Sequence, residues 1–191
     1  MLGKTFRAAH RASLLRSRFH ESGQSLVEFA LAAPVFFAIV FGIIELGLLY
    51  KTHSAYQEGA QNAARTIAAA NASDIDGLAQ LRTILVGENL NNIQSVDIYD
   101  STVGGAPVAA TSALTPTITT YRYTPSVGFT CPDGNLPPCP GNWAVRNRTL
   151  GSLDYVGVRI TYRYKGVTGA ISPLTLTQVA TAELEPTQYG S

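Results

Sequence analysis

Beyond His53 the chain contains no histidine. A Ser-His-Asp hydrolytic triad and a histidine-ligated metal centre are therefore unavailable to residues 54–191. Cysteine is almost as scarce. Cys131 and Cys139 are the only two, too few for a zinc site with no histidine in range. No Walker loop and no paired-glycine dinucleotide motif follows a strand-like run, and Gly104-Gly105 reads as a turn. Charged residues make up only 14% of the chain, and past Tyr50 nine basic residues are balanced by ten acidic ones. That region lacks the clustered positive charge that nucleic acid requires. Asp97, Asp100, Asp133 and Asp154 are scattered and read as solvated loop and edge residues. The expectation is a protein with no catalytic residues, no cofactor, no metal and no nucleic-acid partner.

What the chain does have is one long apolar run. Residues 29–50 are apolar except for Glu45. As a helix they would extend about 33 Å, against a hydrocarbon core of about 30 Å. A soluble core helix would show a polar face every three or four residues, and this run shows none, so it reads as a membrane span. Residues 1–23 hold five of the fourteen basic residues, Lys4, Arg7, Arg11, Arg16 and Arg18, and a single acid, Glu21. By the positive-inside rule this arm stays in the cytoplasm and the remainder is translocated. An amphipathic helix on anionic lipid is a second reading of the same arm. A cleaved secretory signal fits poorly, because no Ala-x-Ala ending follows the run. Two carboxylates flank the span. Glu28 lies at its cytoplasmic edge. Glu45 sits at the outer interface, snorkels, or pairs with Lys51 or a partner chain, and the sequence does not choose among these.

From Lys51 to about Ala70 the chain stays helix-prone. Ala55, Gly59 and Ala63 recur every four residues, a stripe of small side chains that admits a second helix at close range. Alanine's helix propensity alone is the plainer account, but Gly59 weakens a helix without local reward. Ser73 with Asp76 resembles a capping box, opening a helix over about 74–89 with Ile75, Leu78, Leu81 and Leu85 as its core stripe. Ser95-Val-Asp-Ile-Tyr alternates as a strand. Seven of the ten prolines lie between Pro107 and Pro140, which breaks up regular structure there, although residues 117–123 can still pair. Residues 155–164 and 174–184 alternate with a period of two, as half-buried antiparallel strands do. With the downstream part translocated, both cysteines lie in an oxidising compartment. That favours a Cys131–Cys139 disulfide over free thiols, worth roughly 2–3 kcal/mol for so short a loop. The stapled loop and the adjacent Trp143 form either a recognition surface or a local mini-core. Asn71-Ala-Ser and Asn147-Arg-Thr match the glycosylation pattern, which is frequent by chance.

Gly23-Gln-Ser-Leu-Val-Glu28-Phe29 resembles the processing site of type IV prepilins: a basic leader ending in glycine, a glutamate five residues after the cut, and an apolar helix directly behind. Extended to Ala-Leu-Ala-Ala-Pro34, it resembles the N-terminus of TadE-like proteins, minor pseudopilins of the tight-adherence (Tad/Flp) pilus system. Glu58-Gly-Ala-Gln-Asn-Ala-Ala-Arg-Thr is similar to that family's segment after the span. The resemblance covers about residues 23–69. Phe29 stands where the family's small major pilins usually place tyrosine, and this chain is far longer than those pilins.

The resemblance implies removal of residues 1–23 by a prepilin peptidase, with Gln24 as the new N-terminus. It also implies a non-catalytic role in pilus assembly alongside other Tad pilus subunits and inner-membrane assembly proteins. The new α-ammonium would lie about one helical turn from Glu28, and a paired buried charge costs far less than a lone one. Pro34 and Gly42 are candidate bend points. The expected fold is α+β: a long N-terminal transmembrane helix, then a small pilin-like periplasmic domain with one or more helices packed on an antiparallel sheet. The expected divisions are a leader over 1–23, a helix over 24–72 and a periplasmic domain over 73–191, in the bacterial inner membrane with the N-terminus cytoplasmic. The alternative is a membrane-anchored extracytoplasmic binding module that never enters a filament.

Overall fold

The computed structural model describes residues 6–109, 118–139, 146–149, 152–169 and 173–186, with the backbone alone over 6–22 and at 88. Trp143 and residues 187–191 lie outside the described residues. The fold is α+β. Helix α1, Phe6–Ala68, is followed by α2, Asp74–Ile84, and a single turn, α3, Glu88–Asn91. Strands β1, Ile93–Ser101, β2, Ile118–Thr124, β3, Gly128–Thr130, β4, Tyr155–Tyr164, and β5, Leu174–Glu183, complete the chain. They form one antiparallel sheet in the order β3-β2-β1-β4-β5.

Two compact units divide the chain, Met1–Leu46 and Gly47–Ser191. The first is the N-terminal part of α1. Apart from the half-buried Val40, its large apolar side chains from Leu26 to Leu46 are exposed, Leu26, Phe29 and Leu31 by 70% or more. Gly23–Ala68 is, among the described residues, the one helix long and apolar enough to cross a membrane, with a mean hydropathy of 2.4 over its most apolar stretch. It fits a single-pass membrane protein.

The second unit begins within α1, so the last turns of that helix belong to the globular core. Tyr56, Ala60, Ala63, Ala64 and Ile67 are fully buried and share one core with Val96, Ile98, Tyr121, Val156, Val158, Ile160 and Tyr162 on the inner sheet face. The Tyr56 and Tyr162 rings stack with centroids 3.6 Å apart. The Tyr56 hydroxyl donates to the Asn89 carbonyl, and His53 hydrogen-bonds Gln178 of β5. Along β4, Val156, Val158, Ile160, Tyr162 and Tyr164 are buried, as their alternation predicts.

Four local expectations change. The second helix ends at Ile84, not near Asn89. Leu85 turns extended (φ −89°, ψ 105°) while its side chain stays in the core, and Gly87 takes φ +62°, open to glycine without strain. Ile75 is 47% exposed and lies off the core stripe formed by Leu78, Leu81 and Leu85. Asp97 is buried rather than solvated. Its carboxylate accepts from Arg159 Nε (2.8 Å) and from the Thr120 hydroxyl (2.8 Å) on the outer sheet face. The hairpin β2–β3, with Gly128 at φ +100°, also runs through the proline-rich region, where only β2 was expected.

Candidate functional site

Around Gly23 to Phe29 the helix is continuous and its side chains are exposed. Gly23 has open space where a β-carbon would stand. The Gln24 side-chain amide donates to Glu28 Oε1 at 3.1 Å, the i to i+4 spacing that places both on one helix face. Phe29 beside them is exposed. Pro34 lies inside α1, which runs unbroken past it and past Gly42, where no atom lies within 4 Å of a β-carbon position. Glu45 is the exception in this segment: it is 1% exposed, while Ile43, Ile44 and Leu46 are each at least 48% exposed.

The small-residue stripe meets a helix, and that helix belongs to the same chain. A β-carbon at Gly59 would lie 3.1 Å from Leu81 Cδ2 of α2 and 3.4 Å from Cγ of Leu85 just past its end. One at Gly77 of α2 would lie 2.4 Å from Ile67 Cγ1 and 3.2 Å from the Ala63 carbonyl oxygen. Glycines on both helices let the two backbones approach closely. Gly59 and Ala63 are therefore covered by α2 and do not present an open filament face, while Ala55 is half-buried. Helix α2 is fixed at its start by Ser73, whose backbone N–H and hydroxyl both donate to Asp76 Oδ2 at 2.8 Å. Those bonds hold the Asp76 carboxyl below its ordinary range.

Cys131 and Cys139 form a disulfide, with α-carbons 5.4 Å apart. Inside the loop the Cys131 N–H donates to the Asn135 carbonyl (2.8 Å), and Asp133 accepts from the Asn135 N–H (3.0 Å) and side-chain amide (2.8 Å). Leu136 and Pro137 of this loop, Ile75, Leu78 and Arg82 of α2, and Val127 and Phe129 of the hairpin line an apolar groove of about 460 Å³. Among the described residues no three His, Cys, Asp or Glu side chains are placed to hold a metal ion.

Sequence reading missed the segment 146–149, which joins both helix ends. Arg146 pairs with Asp74 at the start of α2, the two side chains 12% and 6% exposed. The Tyr121 hydroxyl donates to the other Asp74 oxygen at 2.8 Å. Burial first, then the Asp74 charge and this bond, push the Tyr121 hydroxyl above its ordinary range. Arg148 closes α1: its Nη1 donates to the Ala68 and Glu185 carbonyls, both at 2.9 Å, and its Nη2 to the Ile67 carbonyl at 3.2 Å. A guanidinium fork at a helix C-terminus satisfies carbonyls that lack intrahelical partners and complements the negative end of the dipole. Asn147, between the two arginines, spends its side chain on Ser152 and on the Thr149 N–H. The only local signal was two arginines beside an asparagine, a pattern read as a glycosylation match.

No curated protein and no solved structure matches the chain. Residues 23–65 match the family model of the TadE-like proteins. The exposed apolar helix and the turns that carry Gly59 and Ala63 are thus the part of the chain that is similar to the TadE-like proteins.

Proposed function

We propose that the protein is a non-catalytic minor pilin or assembly factor of Tad pilus biogenesis, processed after Gly23 by a prepilin peptidase. The family match over residues 23–65 carries this reading, because it begins at the glycine of the cleavage motif. The basic arm before it stays cytoplasmic, the apolar helix holds the inner membrane, and Gly47–Ser191 stands in the periplasm, where the Cys131–Cys139 disulfide persists. Glu28, already held by Gln24, receives the new α-ammonium of its own chain or a neighbour's. Contacts with other pilus subunits run through the exposed apolar helix.

Mass spectrometry of the N-terminus extracted from membranes, with and without the prepilin peptidase, tests this directly. Gln24 as first residue only when the peptidase is present is the expected result. An intact Met1, or a start beyond Tyr50, would sink it. Glu28→Ala is expected to impair processing or pilus incorporation, and no effect on either would remove Glu28 from the mechanism.

The groove lined by Leu136, Phe129 and Ile75 favours a second reading, a tethered binding module outside any filament. Intact Met1 in a protein that is absent from purified pili would point there.

A further inference from the structure

The elements of the second unit bring four chain segments to one end of it. Helix α1 runs from Tyr56, stacked on Tyr162, to Ala68, whose carbonyl accepts from the Glu185 N–H just past β5. It is thus antiparallel to β4 and parallel to β5, and Tyr50 lies at the end where β4 finishes and β5 starts. Strand β2 runs parallel to β4, since both pair antiparallel with β1, so the β2–β3 turn lies at that end too. Helix α2 returns to it, for Gly77 packs on Ile67 whereas Leu81 packs on Gly59. The segments gathered there are the exit of α2, the β2–β3 turn, the loop after β4 and the first residue of β5. Each carries an exposed aliphatic side chain: Val86, Val127, Val167 and Leu174, at 66%, 55%, 76% and 41%.

Charge is divided between the two ends. Lys51, Arg82, Arg163 and Lys165 are exposed at this end, and none of them forms an ion pair among the described residues. The acids nearest to it are Glu58 and Glu88. Six of the ten acids beyond Tyr50 lie at the opposite end: Asp74, Asp76, Asp100, Asp154, Glu183 and Glu185, with Arg65, Arg146 and Arg148 among them. The apolar run ends at Tyr50, inside this unit, and the helix rises only about 9 Å from there to Tyr56. From Tyr162 an extended chain covers about 10 Å in the same direction by Lys165. The headgroup layer outside the hydrocarbon is about 5–8 Å deep on each side of a bilayer. The loops at this end therefore stand at the depth of that layer.

We propose that this end of the domain rests on the surface of the bilayer that α1 spans. Val86, Val127, Val167 and Leu174 enter the headgroup layer, and Lys51, Arg82, Arg163 and Lys165 meet lipid phosphates. Buried apolar area and attraction to anionic lipid are the two contributions that hold a surface at a membrane interface, and the long basic side chains reach the phosphates while their stems lie against the apolar tips. The acid-rich opposite end is turned away from the lipid charge. The inference rests on reading α1 as a membrane span and does not depend on cleavage after Gly23.

The test is fluorescence quenching on the full-length chain, held as a single copy in nanodiscs of phosphatidylcholine and phosphatidylglycerol. The protein has no free cysteine, so one introduced thiol carries the label. Labels on Val127→Cys and Val167→Cys are expected to be quenched by a nitroxide on the lipid headgroup. They should also be shielded severalfold from aqueous iodide, compared with a label on Val103→Cys, which lies just past the end of β1 at the opposite end and is exposed. A label on Ile39→Cys, within the apolar run, should respond to a nitroxide deep in the acyl chains. Arg82→Glu combined with Lys165→Glu changes two exposed side chains and should restore iodide access at positions 127 and 167 without moving the unfolding midpoint. If position 39 is quenched while 127 and 167 are as open to iodide as 103, the proposal is overturned and the span stands. An unquenched label at 39 removes the span and the proposal with it. Iodide shielding without headgroup quenching means cover by protein, and indifference to the charge reversal takes the cations off the phosphates; either result also overturns the proposal.

Discussion

Gly77 of α2 faces Ile67 of α1 so closely that a β-carbon at 77 would stand 2.4 Å from Ile67 Cγ1 and 2.5 Å from its Cδ1. Ile67 is fully buried and has little room to yield.

Gly77→Ala is therefore expected to destabilise the protein by about 1–3 kcal/mol, the usual range for overpacking. Thermal unfolding of the detergent-solubilised chain measures it. Ile67→Ala in the same chain should couple with it, so that the double variant loses less than the sum of the two singles.

The Arg146–Asp74 pair is nearly dry. Arg146→Met strands the Asp74 carboxylate beside Tyr121 and should cost about 3–5 kcal/mol, the range for an uncompensated buried charge. Adding Asp74→Asn to that variant is expected to recover part of the loss, read as a rise in unfolding midpoint.

Arg148 holds three carbonyls through two nitrogens. Arg148→Ala should cost about 1.5–3 kcal/mol, the scale of a charged hydrogen bond. Arg148→Lys should rescue it only in part, because an ammonium carries no planar fork. Hydrogen exchange at the last turn of α1 and in the 69–73 turn is the local readout.

Tyr121 gives the fold an alkaline limit. Its folded hydroxyl titrates above the ordinary tyrosine value because of burial and Asp74. The stability it contributes is fully present below about pH 10, the unfolded value, and is lost as pH rises toward the folded one. Tyr99 and Tyr162 are raised by burial too and add to the same loss. Unfolding midpoints should fall steeply above about pH 10. Tyr121→Phe should flatten that fall while lowering stability at neutral pH by about 1 kcal/mol.

What was legible in the sequence and what was not divide along physical lines. The faces of β4 and β5 follow from alternation, and the TadE-like helix from an apolar run behind a glycine. Periodicity reports which way a side chain points, not what stands opposite. It could not show that Gly157 lies under Tyr99, where a β-carbon would be 2.3 Å from the ring. Nor could it show that Asp97 and Arg159, sixty-two residues apart, neutralise one another. Ile75 kept the helical spacing of its neighbours yet lines the groove that α2 shares with Val127 and Phe129 of the hairpin. Arg146 and Arg148 sit in a segment with no periodicity at all, and their partners at the helix ends lie more than seventy residues away.

The anchoring of α1 has a mechanical side. Helix carbonyls point along the axis toward the C-terminus. Tension drawn along α1 toward its N-terminus would load the bonds from Arg148 to Ile67 and Ala68, and from the Glu185 N–H to Ala68, together. Bonds loaded in parallel share the force, whereas bonds peeled in sequence meet it singly. The helix end is thus fastened in the stronger of the two arrangements, by one loop and by the residues just past the last strand.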